Sequence, residues 1–413
     1  MSLKSVISKC IPKKLKINIK LLINKRNVSN NLNKTKRKLK NGEKLKVLFI
    51  AQFPELWNSE KTVYELLSKD NRFEIKIFSV PKISNGVFDK ENEMYSFLTA
   101  KGIQTVNTHK NGIFEKIDTD TDFVFLQSPY DDKMPKEYRS VNVSKNALIC
   151  YIPYNSRMTC GKYTRIEFND NFLCNFYCIF ADCIESFEYV SNWMISKRNT
   201  AQKKVFNIGY PRYDLTVKSN KVLKNNITFL WTPRWSYGES DSSDNSHFLE
   251  YYNDLLDFFK NNKHLSLIIR PHPLMFSYLL QVGALTQEDI DSINTTVNNM
   301  NNVQFDDNKD YISAFNTSDC LIADLTSLIM EYYPSGKPII FCEKHVDDLT
   351  KQATAVFNTL YFADNSSELI KTITEISLGE DSKINNRLSV IKEYYKVESC
   401  SAQRIINTLI DEL

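Results

Sequence analysis

Two successive series of alternating strand and helix patterns constrain the fold of this chain more than any other feature of its sequence. The first series starts abruptly with the apolar run 46–51 and continues with predicted strands at 73–80, 122–126, 147–152, 177–181 and 204–208. The second series has predicted strands at 227–231, 265–269, 303–305, 320–323 and 338–342. Apolar strands that alternate with helical patterns are typical of a parallel sheet covered by helices.

The segment 209–226 separates the two series, because Gly209, Pro211 and a polar run interrupt the alternation. A chain of 413 residues, 42% of them hydrophobic, is long enough for two packed domains. We therefore predict an α/β fold with two Rossmann-like domains of the GT-B type. The predicted divisions are a basic arm at 1–45, an N-terminal domain at 46–208, a hinge at 209–226 and a C-terminal domain at 227–413.

Basic residues are concentrated at the N-terminus. Residues 1–46 hold 15 of the 53 Lys and Arg residues, but only Glu43 among the 49 acidic residues, so the rest of the chain is net negative. This negative body argues against a nucleic-acid-binding domain, whereas the basic arm favours a polyanionic partner.

An apolar row within the arm indicates what that partner is. As a helix, segment 15–23 would place four apolar residues on one face beside lysines: Leu15, Ile19, Leu22 and Ile23. This pattern is suited to an anionic membrane surface. A disordered tail without a partner is the alternative. The polar, aperiodic run 27–46 predicts a linker.

Several classes of protein lack support in this sequence. It contains neither a GxGxxG nor a GxxxxGK[ST] motif, which argues against a dinucleotide dehydrogenase and a P-loop ATPase. No apolar stretch reaches the roughly 20 residues that span a bilayer. The nine scattered cysteines predict buried free thiols in a reducing cytoplasm. We predict no cofactor, and no metal because no carboxylate cage follows a predicted strand.

Polar residues follow successive predicted strands of the second series. Thr232 and Arg234 follow the first strand, and Arg270 and His272 follow the second. Another strand ends in Asp324, after which a helix opens with Thr326 and Ser327 and runs to Glu331. Lys337 then lies in the segment that leads into the next strand. Because ligands of open α/β sheets bind beyond the carboxyl ends of the strands, these residues are the candidate site.

Each of these residue types suits a diphosphate. Hydroxyls at a helix N-terminus bind phosphate together with the free backbone N–H groups. The guanidinium groups of Arg234 and Arg270 offer paired donors to phosphoryl oxygens, and His272 could neutralise charge on a leaving phosphate. Glu331 could accept from ribose hydroxyls. Taken singly, helix capping by Asp324 or Thr326 and a structural role for His272 are the alternatives.

The sequence of this region resembles the CDP-glycerol glycerophosphotransferase family of teichoic-acid and capsule polymer enzymes. The run 318–341 is similar to the family's C-terminal signature, with its Asp-ended strand, two hydroxyl residues, an acidic residue and Lys-Pro before a strand. The segment 209–214, which contains Arg212, looks like the Gly-x-Pro-Arg-x-Asp motif of the family. The segments 231–235 and 270–272 resemble its Pro-Thr-Trp-Arg region and its basic His motif.

This resemblance implies a GT-B transferase with a CDP-linked donor in the C-terminal domain. It implies that His272, Thr326 and Ser327 hold the pyrophosphate, with Arg212 also on the donor side. An acceptor hydroxyl would then attack the β-phosphorus and expel CMP. The resemblance also implies a lipid-linked glycan acceptor and a peripheral location on the cytoplasmic face of the bacterial cell membrane, which agrees with the basic arm.

The chain departs from the family pattern in its first half. The family carries a His-Gly-Thr motif after a strand, and its His is the presumed general base, but the corresponding segment here is 150–156, which has no histidine. Tyr154 and Asn155 in this segment are the acceptor-side candidates. An unperturbed Tyr has a pKa near 10 and is a poor base, so Asp131 and Asp132, which follow strand 122–126, are the candidate bases.

Three functions therefore stay open at the level of sequence. The first is transfer of glycerol phosphate or a related polyol phosphate from a CDP-linked donor. The second is a GT-B glycosyltransferase that uses a CMP- or UDP-sugar for capsule or O-antigen. The third is a non-catalytic relative that binds nucleotide or polymer. The transferred group, the acceptor, single or repeated addition and the oligomeric state are not determined by these motifs.

Overall fold

The computed structural model describes residues 12–413 apart from 85, 198–199, 201, 217–225, 239–245, 344–345 and 398. The chain forms two compact units. The first unit holds the residues up to Asn155, then Cys160–Arg212 and the C-terminal helix Ser401–Asp411. The second holds Tyr213–Val397 together with the short segment Ser156–Thr159. The sequence patterns contain no signal for the return of the C-terminal helix to the first unit.

The first unit contains, within the described residues, a seven-stranded sheet in the order β7-β6-β5-β4-β1-β2-β3. All of its neighbouring strands are parallel. Its strands are β1 Leu45–Ala51, β2 Phe73–Ser79, β3 Val106–Asn107, β4 Phe123–Leu126, β5 Leu148–Tyr151, β6 Cys178–Phe180 and β7 Lys204–Phe206. The middle strands are buried on both faces, as expected of a parallel sheet between helices.

The helices of the first unit precede and connect these strands. They are α1 Lys13–Lys40, α2 Lys61–Leu67, α3 Glu93–Ala100, α4 Ser140–Val143, α5 Lys162–Glu167, α6 Asp170–Leu173 and α7 Ile184–Ile195, with α16 Ser401–Asp411 at the C-terminus. Short 3₁₀ turns lie at Pro54–Ser59, Asp131–Lys133 and Lys136–Tyr138. The C-terminal helix α16 packs against α2.

The second unit contains, in its described part, a six-stranded parallel sheet in the order β10-β9-β8-β11-β12-β13. Its strands are β8 Ile227–Thr232, β9 Leu265–Ile269, β10 Val303–Phe305, β11 Cys320–Ala323, β12 Ile339–Phe341 and β13 Tyr361–Phe362. Its helices are α8 Phe248–Asn261, α9 Met275–Gln281, α10 Gln287–Asn298, α11 Ile312–Thr317, α12 Leu328–Tyr332, α13 Lys351–Phe357, α14 Ser366–Ser377 and α15 Ile384–Tyr394.

These elements confirm the α/β class and the two parallel sheets predicted from the alternation. Strands β9, β10 and β11 have the predicted bounds, because a charged residue directly follows each apolar run: Arg270, Asp306 and Asp324. The linker predicted at 27–46 is wrong, since α1 continues to Lys40. Its polar side chains are used for hydrogen bonds to the first unit, so the segment carries little apolar periodicity.

Helix α1 crosses the amino-terminal ends of the first sheet. Asn31 Nδ2 donates to the carbonyl of Ser144, which lies before β5. The buried Asp122, directly before β4, accepts from Thr35 Oγ1 at 3.1 Å and from Lys38 Nζ at 2.9 Å. Because removing one partner of a buried ion pair typically costs about 3–5 kcal/mol, this contact ties α1 firmly to the sheet.

In the middle of α1, Asn24 contacts the segments that precede β6 and β7. The side chain of Lys203, which is buried, donates to Asn24 Oδ1 at 2.8 Å and to the carbonyls of Cys174 and Phe176. Burial lowers the pKa of Lys203 to about 7. Leu21 and Val28 of α1 are buried beside these contacts, so this helix belongs to the core of the unit.

Candidate donor site of the second unit

The strand register of the second sheet brings the predicted polar residues to one edge. Trp231 of β8 is paired with Ile269 of β9, and Thr232 is paired with Ala323 of β11. The Arg270 N–H donates to the carbonyl of Trp231 at 2.7 Å, so the turn after β9 lies directly beside the turn after β8. The carboxyl ends of these three adjacent strands therefore form one candidate site.

Asp324 is the centre of this site. Its carboxylate follows β11 and is completely buried. It accepts from the backbone N–H of Arg234 at 2.7 Å and, at 2.9 Å, from the imidazole of His247. Asp324 was predicted as a donor-binding residue; these contacts make it the group that fixes the positions of its neighbours, since a buried carboxylate with several donors is a rigid acceptor.

Two arginines bring positive charge to the edge. Arg234 is half-buried, and its guanidinium donates to Ser236 Oγ and to the carbonyl of Leu325. Arg270 donates to Asp306 at 2.6 Å and to the carbonyl of Asn308. Both guanidinium groups are thus oriented by protein contacts before any ligand binds, and pre-orientation reduces the entropy lost on binding.

His272 is held in one orientation by backbone contacts. The backbone N–H of His272 donates to the carbonyl of Pro233, and the ring Nδ1 accepts from the backbone N–H of Leu274 at 3.2 Å. Because Nδ1 accepts, the neutral ring carries its proton on Nε2. Burial and the nearby charge of Arg234 lower the pKa of His272. The ring is therefore a neutral donor through Nε2 at physiological pH.

Thr326 and Ser327 lie where the sequence predicts them, at the start of a helix. The helix α12 has only five residues, so its dipole is weak. Both residues are half-buried, and Thr326 Oγ1 accepts a long hydrogen bond of 3.4 Å from the N–H of Leu328. Thr232, by contrast, is buried and donates to the carbonyl of Ile322. Thr232 thus helps to hold β8 and β11 together.

Glu331 and Lys337 make contacts typical of structural residues. Glu331 is buried and accepts from the hydroxyl of Tyr311. Lys337 Nζ donates to the carbonyls of Phe315, Asn316 and Ser318 and thereby caps the C-terminus of α11. Three acceptors match the three N–H groups of an ammonium, so this lysine is already saturated by contacts within the unit.

The remaining predicted residues lie in the first unit. Arg212 is buried and donates to the carbonyl of Glu55. Both carboxylate oxygens of Asp131 accept from Ser140, at 2.6 Å from its N–H and at 2.8 Å from its hydroxyl, so Asp131 caps the start of α4. Asp132 is exposed. The geometry thus gives Asp131 a structural contact where the sequence suggested a base.

Tyr154 and Asn155 follow β5 at the carboxyl edge of the first sheet. The hydroxyl of Tyr154 lies 2.9 Å from that of Tyr130. Asn155 Oδ1 is buried and meets no hydrogen-bond donor within the described residues. An unsatisfied buried acceptor is costly, which makes Asn155 the acceptor-side candidate with the clearest capacity for a further hydrogen bond.

Sequence reasoning missed His247. This residue precedes α8, and its ring stacks on Tyr251 with centroids 5.4 Å apart. The only signal was a histidine just before an amphipathic helix, and the polar run ahead of it resembles an ordinary loop. Only the fold places it beside Asp324, which is far away in the sequence.

The comparisons with known proteins identify the family. The family model described as CDP-Glycerol:Poly(glycerophosphate) glycerophosphotransferase matches residues 182–411, more than half of the chain. The chain belongs to this family of transferases, as the resemblance of its motifs predicted. A search of curated protein sequences finds no significant match.

Solved structures with similar folds agree with the predicted architecture. The wall teichoic acid polymerase TagF, soaked with CDPG, is 15% identical with a TM-score of 0.55, and the match covers 93% of this chain and 98% of that one. A putative UDP-N-acetylglucosamine 2-epimerase from Listeria monocytogenes is 12% identical with a TM-score of 0.55, covering 90% and 98%. The UDP-GlcNAc 2-epimerase from Neisseria meningitidis, bound to UDP-GlcNAc, is 14% identical with a TM-score of 0.55, covering 89% and 100%. These similarities confirm the GT-B type of fold.

Proposed function

We propose that this transferase moves glycerol phosphate, or a related polyol phosphate, from a CDP-linked donor to a hydroxyl of a lipid-linked glycan. The observation that carries the proposal is that Arg234, Arg270, His272 and Asp324 follow three adjacent strands at one edge of the second sheet. Two oriented guanidinium groups and a neutral N–H donor match the charge and the geometry of a diphosphate.

In the proposed reaction, the oxygen of the acceptor hydroxyl attacks the phosphorus that bears glycerol. The bond from this phosphorus to the oxygen of CMP breaks, CMP leaves with the electron pair, and the hydroxyl proton passes to a base. Arg234 and Arg270 stabilise the negative charge of the phosphoryl oxygens. His272 donates its Nε2 proton as a hydrogen bond to an oxygen that gains charge in the transition state.

The donor is tested by the release of CMP. Purified protein is incubated with CDP-glycerol, CDP-ribitol, UDP-sugars and CMP-sugars, with a lipid-linked acceptor, and the nucleotide products are separated. Turnover of CDP-glycerol or CDP-ribitol with release of CMP is the expected result. Turnover of a sugar nucleotide alone would contradict the proposal and establish the glycosyltransferase alternative, which the missing N-terminal histidine motif favours. Binding without turnover of any donor would establish a non-catalytic relative.

We also propose that the protein lies on the cytoplasmic face of the membrane through helix α1. No helix in the described part of the chain is long and apolar enough to cross a bilayer. The apolar row predicted on α1 is exposed to solvent, with exposed fractions of 41–59% for Leu15, Ile19, Leu22 and Ile23. Lys25 and Arg26 are exposed at the end of this row, and such a mixed face is suited to anionic lipid.

The contacts of α1 determine how this membrane proposal is tested. Deleting the helix would also remove Leu21 and Lys38 and leave their partners, such as Asp122, without these contacts, so truncation confuses folding with membrane binding. Replacing only the four exposed apolar residues by Gln leaves these contacts in place. We expect the variant to fold normally and to lose most of its cosedimentation with vesicles of anionic lipid. Unchanged, salt-insensitive sedimentation would contradict the proposal.

A further inference from the structure

The proposed reaction has not used the imidazole of His247, which lies at the same edge of the second sheet as Arg234 and Asp324, here called the donor edge. Its Nδ1 lies 2.9 Å from Asp324 Oδ1, and its Nε2 lies 3.8 Å from Glu343 Oε2. Asp324 follows β11 and Glu343 follows the neighbouring strand β12, so the ring stands at the same sheet edge as the arginines. The side chain of His247 is 14% exposed.

The contacts of the ring define which nitrogen is available. Asp324 also accepts from the backbone N–H of Arg234 and of His247, so its carboxylate acts only as an acceptor and Nδ1 of the ring carries a hydrogen. A separation of 3.8 Å from Glu343 exceeds hydrogen-bond range. Within the described residues, Nε2 therefore has no hydrogen-bond partner, although the opposite side of the ring is fixed.

We propose that His247 Nε2 is a phosphate ligand of the donor site and that Asp324 is the residue that positions it. This inference rests on the proposed function, because it takes the donor to be a nucleotide diphosphate. The ring donates from Nε2 to a phosphate oxygen of the nucleotide, and it retains its hydrogen bond from Nδ1 to Asp324. His247 thereby adds a hydrogen-bond donor to those that Arg234 and Arg270 provide.

The groups that face the ring favour its protonated form. Burial alone lowers the pKa of His247, but the hydrogen bond that the ring donates to Asp324 and the negative charges of Asp324, Glu250 and Glu343 outweigh burial, and the pKa is raised. Tyr251 covers one face of the ring and contributes no charge of its own. His272 has the opposite shift. The pKa values of the two histidines are thus shifted in opposite directions, and a diphosphate gains most from the ring whose pKa is raised.

A purely structural role is the competing explanation. In that case the ring would only connect the end of β11 to the start of α8, and its loss would lower stability without a specific effect on ligand binding. The two explanations differ in how ligand affinity depends on pH. A structural contact leaves this dependence unchanged, whereas a phosphate ligand with a raised pKa makes affinity fall when the imidazolium loses its proton.

The test is calorimetric titration of CDP-glycerol into the wild type, His247→Asn and His247→Gln at pH 6 and pH 8.5. The charge of this diphosphate diester is constant over that range, so its own titration does not interfere. We expect the wild type to lose about 10-fold in affinity at the higher pH, as for a charged hydrogen bond. Both variants should bind about 10-fold more weakly at pH 6 and show little further change. His264→Asn, at an exposed histidine, is the matched control and should behave as the wild type.

The possible outcomes bear differently on this inference and on the proposed function. Wild-type affinity and wild-type pH dependence in a folded His247→Asn variant would overturn the inference while leaving the proposed function intact. If the wild type binds UDP-GlcNAc but not CDP-glycerol, the proposed function fails, and the same titrations with UDP-GlcNAc test His247. A wild type that binds no nucleotide overturns both.

Discussion

The carboxyl edges of the two sheets have the same architecture but different chemistry. In the first sheet, the residues directly after β1 and β4 are Gln52 and Gln127, and Gln127 Oε1 accepts from the N–H groups of Gln52 and Phe53 at 2.8 and 2.7 Å. In the second sheet, the turns after β8 and β9 carry arginines and a histidine, and Asp324 follows the adjacent strand β11. A parallel sheet therefore provides a place for a ligand, while the side chains after each strand decide which ligand it is.

Two buried carboxyl groups make the same contrast. Asp324 accepts several hydrogen bonds, whereas both carboxyl oxygens of Glu60 in the first unit are buried and meet no donor within the described residues. Burial raises the pKa of Glu60 to about 8. Burial without a donor favours a neutral carboxyl in Glu60. Asp324, in contrast, meets several donors, whose positions it fixes.

The largest effect is expected from Asp324→Ala. This change leaves His247 and two backbone N–H groups without their acceptor, and we expect the second unit to lose about 3–5 kcal/mol in free energy of unfolding. Urea denaturation measures the loss. Asp257→Ala, at an exposed position of α8, is the control. A loss below about 1 kcal/mol would show that Asp324 does not organise this edge.

His272→Ala should abolish most catalysis while leaving the fold intact. Removal of one preorganised donor to a transition state typically lowers kcat by about 10²–10³. Release of CMP from CDP-glycerol under saturating donor measures the change, with His264→Ala as the control. A variant with normal kcat would mean that His272 only supports the turn after β9.

Glu60 predicts a pH dependence for the first unit. Its pKa in the folded chain is raised from its ordinary value of 4.5 to about 8, so between these values the folded chain keeps a proton that the unfolded chain has lost. With respect to Glu60, the folded chain is therefore most stable at low pH. Its free energy of unfolding falls as the pH rises toward 8, by roughly 1.4 kcal/mol per pH unit. Glu60→Gln should remove this slope.

The difference between the wild type and Glu60→Gln isolates this group, since all other titrations cancel. Urea denaturation from pH 5 to pH 8 gives the two slopes. Glu65→Gln, which changes an exposed carboxyl of α2, the helix that begins directly after Glu60, should retain the wild-type slope. Parallel slopes in all three proteins would refute a neutral Glu60.

The smallest effect is expected from Tyr154→Phe. The change removes one hydrogen bond between neutral hydroxyls, worth about 1 kcal/mol, and we expect turnover to fall less than about 10-fold. Tyr130→Phe removes the partner hydroxyl of the same hydrogen bond and should lower turnover by a similar factor. If Tyr154→Phe alone abolishes turnover without weakening donor binding, the first edge takes part in the chemistry and the contrast between the two edges is too simple.

The donor edge was predictable to the extent that it depends on residues near each strand end. Arg234, Arg270 and His272 were found because they directly follow apolar runs, and the register of β8, β9 and β11 brings those runs together. Glu331 was predicted from the helix after β11 and Lys337 from the turn before β12, but a local pattern cannot show that Lys337 points inward to three carbonyls.

Helix α1 shows the converse limitation. Its exposed apolar row was visible in the sequence, because helical spacing is a local property. Its attachment to the first unit was not, because Asn24, Asn31, Thr35 and Lys38 are buried through hydrogen bonds to distant residues. Such residues look like a linker until their partners are known.

By itself, the sequence determined the alternation of two α/β series, the family and the residue types at the donor edge, since these depend on short-range periodicity and local motifs. Only the tertiary structure decided which of those residues lie at the open edge of the sheet and which satisfy a buried partner. Asp324 and His247 meet because β11 and the start of α8 converge at one edge. Hydrogen bonds of this kind join residues that are remote in the chain, and no local pattern encodes them.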